Sequence, residues 1–176
     1  MAMVVIDTEF NGFHDSSEII SIALVATDGR EYYAEIIDTL AKAVCKQNED
    51  FALEDMARPE FQEHFDDFVV DQVMPQLDPM AFGKSRKQVA EEVLEFFRGC
   101  SGQVVLASDS PAWDFVMLKQ LLGQKWPKNL SRTVRDVVDV AGISELLDSG
   151  SEPVTHHALD DAKRLMEAME RVALVF

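Results

Sequence analysis

An α/β fold, a mixed β-sheet flanked by helices, is predicted by the order of apolar patterns along this 176-residue chain. Three observations carry that reading. Met3, Val4, Val5 and Ile6 form an unbroken apolar run ending at Asp7, the pattern of a buried strand. Two stretches rich in Ile, Val and Tyr, 18–26 and 30–37, flank an Asp28-Gly29 pair suited to a hairpin turn. Beyond them a helix, a buried strand, a second helix and a closing helix follow in turn.

The elements follow in order from local chemistry. The first forty residues supply three strands. Residues 41–59 are mixed, with scattered acids, and read as loop with short helix. Residues 60–77 carry apolar side chains near helical spacing, interrupted at Pro75. Ser85 and Gln88 fit a capping box, Val89, Val93, Leu94 and Phe97 form an apolar face, and Gly99 ends that helix. Residues 103–108 are the fourth, buried strand. Pro111 opens a helix running to Leu122 and stopped at Gly123. Residues 132–143 fit either a strand or a helix. The closing helix spans about 158–172, with Leu165, Met169 and Val172 inward.

Length and composition suit one domain, residues 1–176, burying a single core. No apolar run approaches a membrane span, the N-terminus lacks a secretory pattern, and Cys45 and Cys100 stand apart without a CxxC spacing. A cytoplasmic protein with reduced thiols is expected. The formal net charge of −16 opposes binding to long nucleic acid, since phosphates are held mainly by Lys and Arg. Yet Lys119, Lys125, Lys128, Arg132 and Arg135 share a segment without acids, which could follow a strand's backbone or be plain solvated surface. Short strands and free ends are the expected substrates.

Several acids stand where a strand ends or a helix begins. Asp7 and Glu9, at i and i+2 of a strand, point to the same side. Two carboxylates held together repel unless cations lie between them, and Mg²⁺ or Mn²⁺ takes oxygen ligands. The loop and helix start at 109–114 offer two further acids, Asp109 and Asp114; either could also serve the helix N-terminus. His156 and Asp161 would diverge by about 140° on one continuous helix. They converge if His156 precedes the helix and Asp161 lies in its first turn. A histidine there suits a general base near neutral pH. His157 and Asp160 are the neighbours that could be ordinary surface groups; His14 and His64 have no partner pattern.

In this order the motifs resemble those of the DEDDh group of 3′→5′ exonucleases of the ribonuclease H-like superfamily, similar to ribonuclease T and oligoribonuclease. Asp-x-Glu falls on Asp7 and Glu9, the aromatic-Asp pair on Trp113 and Asp114, and His-x-x-x-x-Asp on His156 and Asp161. The opening "DTEF", the hairpin "IISIALVATDGREYYAE" and "HHALDDA" look closest to the small mycobacterial-type 3′→5′ exoribonuclease family. Where many relatives carry Asn or His before the second-motif Asp, this chain has Ser108 and Asp109.

The resemblance implies a ribonuclease H-like sheet and selects Asp114 over Asp109. It implies that Asp7, Glu9, Asp114 and Asp161 bind two divalent metal ions, Mg²⁺ or Mn²⁺, about 3.5–4 Å apart, with His156 as general base. The products would be nucleoside 5′-monophosphates, and a homodimer is the expected state. Phe10, Thr8 and Trp113 are the substrate-binding candidates, the aromatic rings by stacking on a terminal base. Single-stranded RNA is favoured over DNA, although nothing visible reads a 2′-hydroxyl. An idle binding module on the same fold is the competing class. A small-ester phosphatase is disfavoured for want of a suitable D-x-D strand motif, and NTPases for want of a P-loop.

Overall fold

The computed structural model describes residues 1–44, 64–138, 140, 142–148 and 156–172. Strands β1 (Ala2–Phe10), β2 (Ile19–Ala26) and β3 (Glu31–Ile36) form an antiparallel meander, and helix α1 (Ile37–Val44) leaves it. After one π-helical turn (Val69–Val73) and a 3₁₀ turn (Met74–Gln76) come a short helix α2 (Pro79–Phe82) and a two-residue strand β4 (Gly83–Lys84). Helix α3 (Arg86–Gly99), strand β5 (Val104–Ser108), helix α4 (Pro111–Leu122), strand β6 (Leu130–Asp136) and helices α5 (Ile143–Asp148) and α6 (Ala158–Arg171) complete the chain. The six strands lie in the order β4-β3-β2-β1-β5-β6; β5 runs parallel to both β1 and β6, so the sheet is mixed.

Alternation along the strands divides the core between the two faces of the sheet. On one face Val4, Ile6, Ile22, Leu24 and Leu106 pack against Val89, Val93 and Phe97 of α3 and Met117, Leu118 and Leu121 of α4. On the other, Met3, Val5, Ala23, Val25 and Tyr33 meet Ile143 of α5 and Ala162, Leu165 and Met169 of α6. Each large apolar side chain so buried stabilises the fold by about 1.5–3 kcal/mol. The sheet is thus sandwiched between helices, the architecture expected from the ribonuclease H-like resemblance.

Several local expectations are met in altered form. Asp28 and Gly29 do turn the β2–β3 hairpin, with Gly29 at φ 84° and its N–H donating to the Ala26 carbonyl at 2.9 Å. The Ser85 hydroxyl accepts from the Gln88 N–H at 3.2 Å, but the Gln88 amide turns to Glu92 at 2.9 Å, leaving half a capping box. The ambiguous 132–143 stretch begins as strand: β6 is an edge, and its exposed Arg132, Thr133 and Arg135 suit an edge that must not pair further. Where residues 60–77 suggested helix interrupted at Pro75, Val69–Gln76 form one π turn and one 3₁₀ turn, since the missing N–H of Pro75 cannot continue an α-helix. Loop and helix expected over 45–59 and the thiol of Cys45 lie outside the described residues. Cys100 is a buried free thiol. Among the described residues no helix is long and apolar enough to cross a membrane.

Two irregularities shape the end of the sheet where the motifs collect. The β1–β2 register shifts between Glu9 and Phe10, inserting one extra β2 residue, a bulge of the kind that re-aims side chains at sheet margins. The 11–18 loop is tied to the 64–77 segment: the Asp66 N–H donates to the Asn11 carbonyl and the Phe13 N–H to the Asp66 carboxylate, both at 3.2 Å. Gly12, at φ 148°, permits this approach, because a Cβ there would lie 2.4 Å from Asp66 Oδ2. Phe65, Val69, Val73 and Met74 then pack on Ile20 and Leu40, fixing the segment beside the sheet.

Candidate active site

β1 and β5 are parallel neighbours, so their C-terminal ends open at the same edge of the sheet. Asp7 and Glu9 lie near the end of β1 and Asp109 just past the end of β5. Asp114 occupies the first turn of α4 and Asp161 the first turn of α6. The two helices cover opposite faces of the sheet, and the acids meet across its rim. A cleft of about 410 Å³ opens there, lined by Asp7, Thr8, Glu9, Phe10, Asp109, His156 and Asp161, with Phe13, Phe68, Ser110, Leu147, Arg164 and Leu165 around them.

Asp7, Asp109 and Asp114 each bring one carboxylate oxygen within 4.8 Å of the others. Asp114 is buried beneath the cleft and held there: Thr8 Oγ1 donates to Oδ1 at 2.6 Å, and the Ser108 hydroxyl donates to Oδ2. The same Ser108 oxygen accepts the Ser110 N–H at 2.8 Å, fixing the turn that carries Asp109. Thr8, expected at the substrate, therefore has its hydroxyl engaged with a carboxylate while its residue lines the cleft.

The electrostatics are those of an anionic cluster short of positive charge. Burial raises Asp7 well above the usual carboxylate range, reinforced by Asp114, Glu9, Asp109 and Asp161. Glu9 is pushed up to about 8, by burial first and then by Asp161 and Asp114. Asp114 is raised to about 7 by burial, although the Ser108 and Thr8 hydroxyls oppose the rise. Burial lifts Asp161 too, against the pull of Arg164 and His156. Asp109 rises for the same first reason even though its side chain reaches solvent. Oxygen-only donors this close, whose charges disfavour one another, suit hard divalent cations that would replace the shared protons.

His156 precedes α6 and Asp161 lies in its first turn, the relation their five-residue spacing required. His156 has φ 51°, the one left-handed residue other than glycine among those described. Its ring meets Phe68 edge-on, centroids 4.8 Å apart. His157 is turned elsewhere, onto Tyr33 at 4.6 Å. His14 and His64 stand outside the cleft.

The mouth is aromatic. Phe10 stacks on Trp113 at 5.3 Å and 20°, and Phe13 packs edge-on against both, at 5.1 and 5.3 Å. Trp113, partly buried against the core like Phe10, does not itself line the cleft, whereas Phe13 and Phe68 remain 67% and 49% exposed. Motif spacing singles out neither Phe13 nor Phe68, because a loop crossing brings them to the site. Arg164, the only Lys or Arg lining the cleft among the described residues, also lies outside the motifs. It follows Asp161 by three positions on one helix face, with Nη1 3.5 Å from its carboxylate, a spacing that could have exposed it. Asp109 ends an apolar strand just as Asp7 nearly does, so the same signal could have kept it beside Asp114.

The basic segment is divided by the fold. Lys125 and Lys128 lie where β5 begins, at the end of the sheet away from the acids. Lys119 covers the Trp126 ring at 5.4 Å. Arg135, by contrast, sits opposite Ala107 on β6, near the end of β5 that carries the site.

The fold has close counterparts among solved structures. An exonuclease I structure shares 13% identity with a TM-score of 0.61, covering 99% of this chain and 41% of that one. Exonuclease I of E. coli in complex with a dT13 oligonucleotide gives 13% identity and a TM-score of 0.55, covering 98% and 42%. The moderately thermophilic exonuclease I of Methylocaldum szegediense gives 12% and 0.51, covering 97% and 40%. The chain thus spans about two fifths of the length of these proteins. No curated protein matches it in sequence. The family model of the 3′-5′ exoribonuclease Rv2179c-like domain matches residues 2–173. That match spans nearly the whole chain, and the chain belongs to the 3′-5′ exoribonuclease Rv2179c-like family.

Proposed function

We propose that this chain removes nucleotides one at a time from the 3′ ends of single-stranded nucleic acid, RNA before DNA, releasing nucleoside 5′-monophosphates. The carrying observation is the cluster of Asp7, Asp109 and Asp114 at the foot of an aromatic-mouthed cleft that also holds Glu9, Asp161 and His156. Asp7, Glu9, Asp114 and Asp161 would hold two divalent cations, Mg²⁺ or Mn²⁺, with Asp109 as a further oxygen donor at the rim. When bound, such ions supply the positive charge that lets an acidic site receive a phosphodiester and stabilises its departing oxygen.

The chain's own groups do the rest. His156 takes the proton of the attacking water, a role suited to an imidazole beside carboxylates. Thr8 and Ser108 keep Asp114 in one orientation. Arg164 can meet a phosphate that has displaced it from Asp161. Phe10, braced by Trp113, offers a ring face to the terminal base, and Phe13 and Phe68 flank it. Residues 1–176 form the catalytic unit, in a cytoplasmic protein acting as a homodimer.

The test uses RNA and DNA oligomers labelled at the 5′ end, single-stranded and duplex, with Mn²⁺ or Mg²⁺. A ladder shortening from the 3′ end of single-stranded RNA, and stopped by chelator, is expected. No cleavage of any oligomer with either ion rejects the reading; faster loss from DNA reverses the sugar preference. Phe13→Ala is expected to raise KM about 5–150-fold with kcat nearly kept, since a stacked base contributes about 1–3 kcal/mol. An unchanged KM would remove Phe13 from the substrate path.

A further inference from the structure

Three buried side-chain polar atoms lack a hydrogen-bond partner among the described residues: Ser21 Oγ, Glu35 Oε2 and His157 Nδ1. All three belong to the surroundings of Tyr33. Ser21 and Glu35 are direct cross-strand partners, and Ser21 also pairs with Glu9, so Glu9, Ser21 and Glu35 form one row across β1, β2 and β3. Tyr33, two residues before Glu35, shares that face of the sheet. Its hydroxyl donates to Glu35 Oε1 at 2.9 Å, and the same oxygen accepts the Asp78 N–H at 2.9 Å. Glu35 is fully buried and burial raises it above the usual carboxylate range. Isolating this group inside a sheet is costly for the fold, which points to a gain elsewhere.

The gain lies in what Tyr33 supports. Its ring is held between Phe82, edge-on at 5.1 Å, and the His157 imidazole at 4.6 Å and 39°. The His157 Nδ1 atom makes no hydrogen bond, the Asp160 carboxylate standing 3.5 Å off, and the ring packs against Tyr33. His157 is also the residue before α6, and its carbonyl accepts the N–H groups of Asp160 at 2.9 Å and Asp161 at 3.1 Å. On its other side is His156, in a left-handed conformation that a non-glycine residue keeps only when its surroundings enforce it. Fixing the His157 ring therefore fixes the backbone of the residue before it, the histidine at the cleft, while Asp161 keeps its place within the helix.

We infer that Tyr33, anchored by Glu35 and packed against the His157 ring, is a positioning residue that holds His156 in its left-handed conformation at the cleft. The inference rests on His156 being the general base of the proposed reaction. His157 then works as a ring wedged between that base and the sheet, and a flat apolar ring can take its place.

The experiment compares His157→Phe, His157→Gly, Tyr33→Leu and His156→Ala on a single-stranded RNA oligomer. Each variant is also titrated with Mn²⁺ by calorimetry and melted. A misplaced catalytic group costs on the order of 10–100-fold, so His157→Gly and Tyr33→Leu are expected to lose that much kcat with KM and Mn²⁺ affinity kept. His157→Phe is expected to stay within about threefold of the parent, since near-isosteric ring packing is retained. If Tyr33→Leu melts too early to assay, the His157 pair alone decides, because His157 lies outside the helix and its replacement removes no core side chain. Full kcat in His157→Gly overturns the inference, as does a His157→Phe as impaired as His157→Gly. A parallel fall in Mn²⁺ affinity also overturns it, by showing that the loop serves the acids. His156→Ala separates the two levels: it should lose about 10²–10⁴-fold. An unimpaired His156→Ala rejects the general-base reading itself, whereas an impaired one beside a fully active His157→Gly rejects only the positioning role.

Discussion

Asp7→Ala is expected to lower turnover of a single-stranded RNA oligomer by about 10³-fold or more, because several kcal/mol of transition-state charge stabilisation depend on cations held at this carboxylate. Asp7 is the acid whose charge is opposed by all four of the others. It shares a pocket of oxygens with Asp109 and Asp114, and its strand sets the direction of Glu9. The same substitution removes a carboxylate raised well above its usual range by burial and by four acidic neighbours. In chelator the variant is therefore expected to melt no lower than the parent, and higher at alkaline pH, where the parent's acids repel most. Loss of activity with the melt preserved identifies a catalytic ligand. An unchanged rate removes Asp7 from the site, and a collapsed melt would mean that its role is structural.

How much of this was legible in the sequence differs between the sheet and the cleft. Met3–Ile6 and the Asp28-Gly29 hairpin specify their elements locally, through apolar runs and turn chemistry, and these appear where the patterns put them. Strand β4 carries no such signal: Gly83 and Lys84 pair at an edge only because α2 and α3 bring them beside β3. Strand β6 is an exposed edge with Arg and Thr outward, so its pattern lacks the apolar run of a central strand. The motif acids stand near element ends, Asp7 and Glu9 late in β1 and Asp114 and Asp161 in the first turns of their helices, which is where local pattern is most visible.

What sequence spacing could not show is which neighbours share space with them. Asp109 and Asp114 looked like alternatives along the chain, yet the turn fixed by Ser108 brings both to Asp7. Phe13 and Phe68 reach the mouth only through the Asn11–Asp66 and Phe13–Asp66 hydrogen bonds, which join segments more than fifty residues apart. Tyr33 reads as an ordinary strand aromatic until His157 is found on its face. The acidic composition, an apparent obstacle to nucleic-acid binding, is partly the cleft itself, where Asp7, Asp109 and Asp114 form a cluster that could hold a divalent ion.

Exchange of protons for cations in this cluster sets the second large effect, on stability. For Glu9 the ordinary pKa is 4.5 and the folded value about 8; for Asp114 the values are 3.8 and about 7. Between those limits the folded chain holds protons that the unfolded chain has released, so stability falls as pH rises. The metal-free protein should thus melt lower at pH 8.5 than at pH 6, the loss accumulating as pH passes through the folded values. A divalent ion binds the deprotonated form and displaces those protons, so it favours the fold most where the metal-free protein is weakest. Mn²⁺ at one hundred times its Kd would add about 2.7 kcal/mol. For a chain of this length each kcal/mol raises Tm by about 2–4 °C, giving a gain of roughly 5–11 °C. Glu9→Gln should flatten the pH dependence in chelator and reduce the Mn²⁺ gain together, because one carboxylate underlies both. Melting curves at the two pH values, with chelator and with Mn²⁺, decide the matter. A chelated Tm that rises from pH 6 to 8.5 would place the repulsion outside this cluster, and a metal gain equal at both pH values would show that binding displaces no protons.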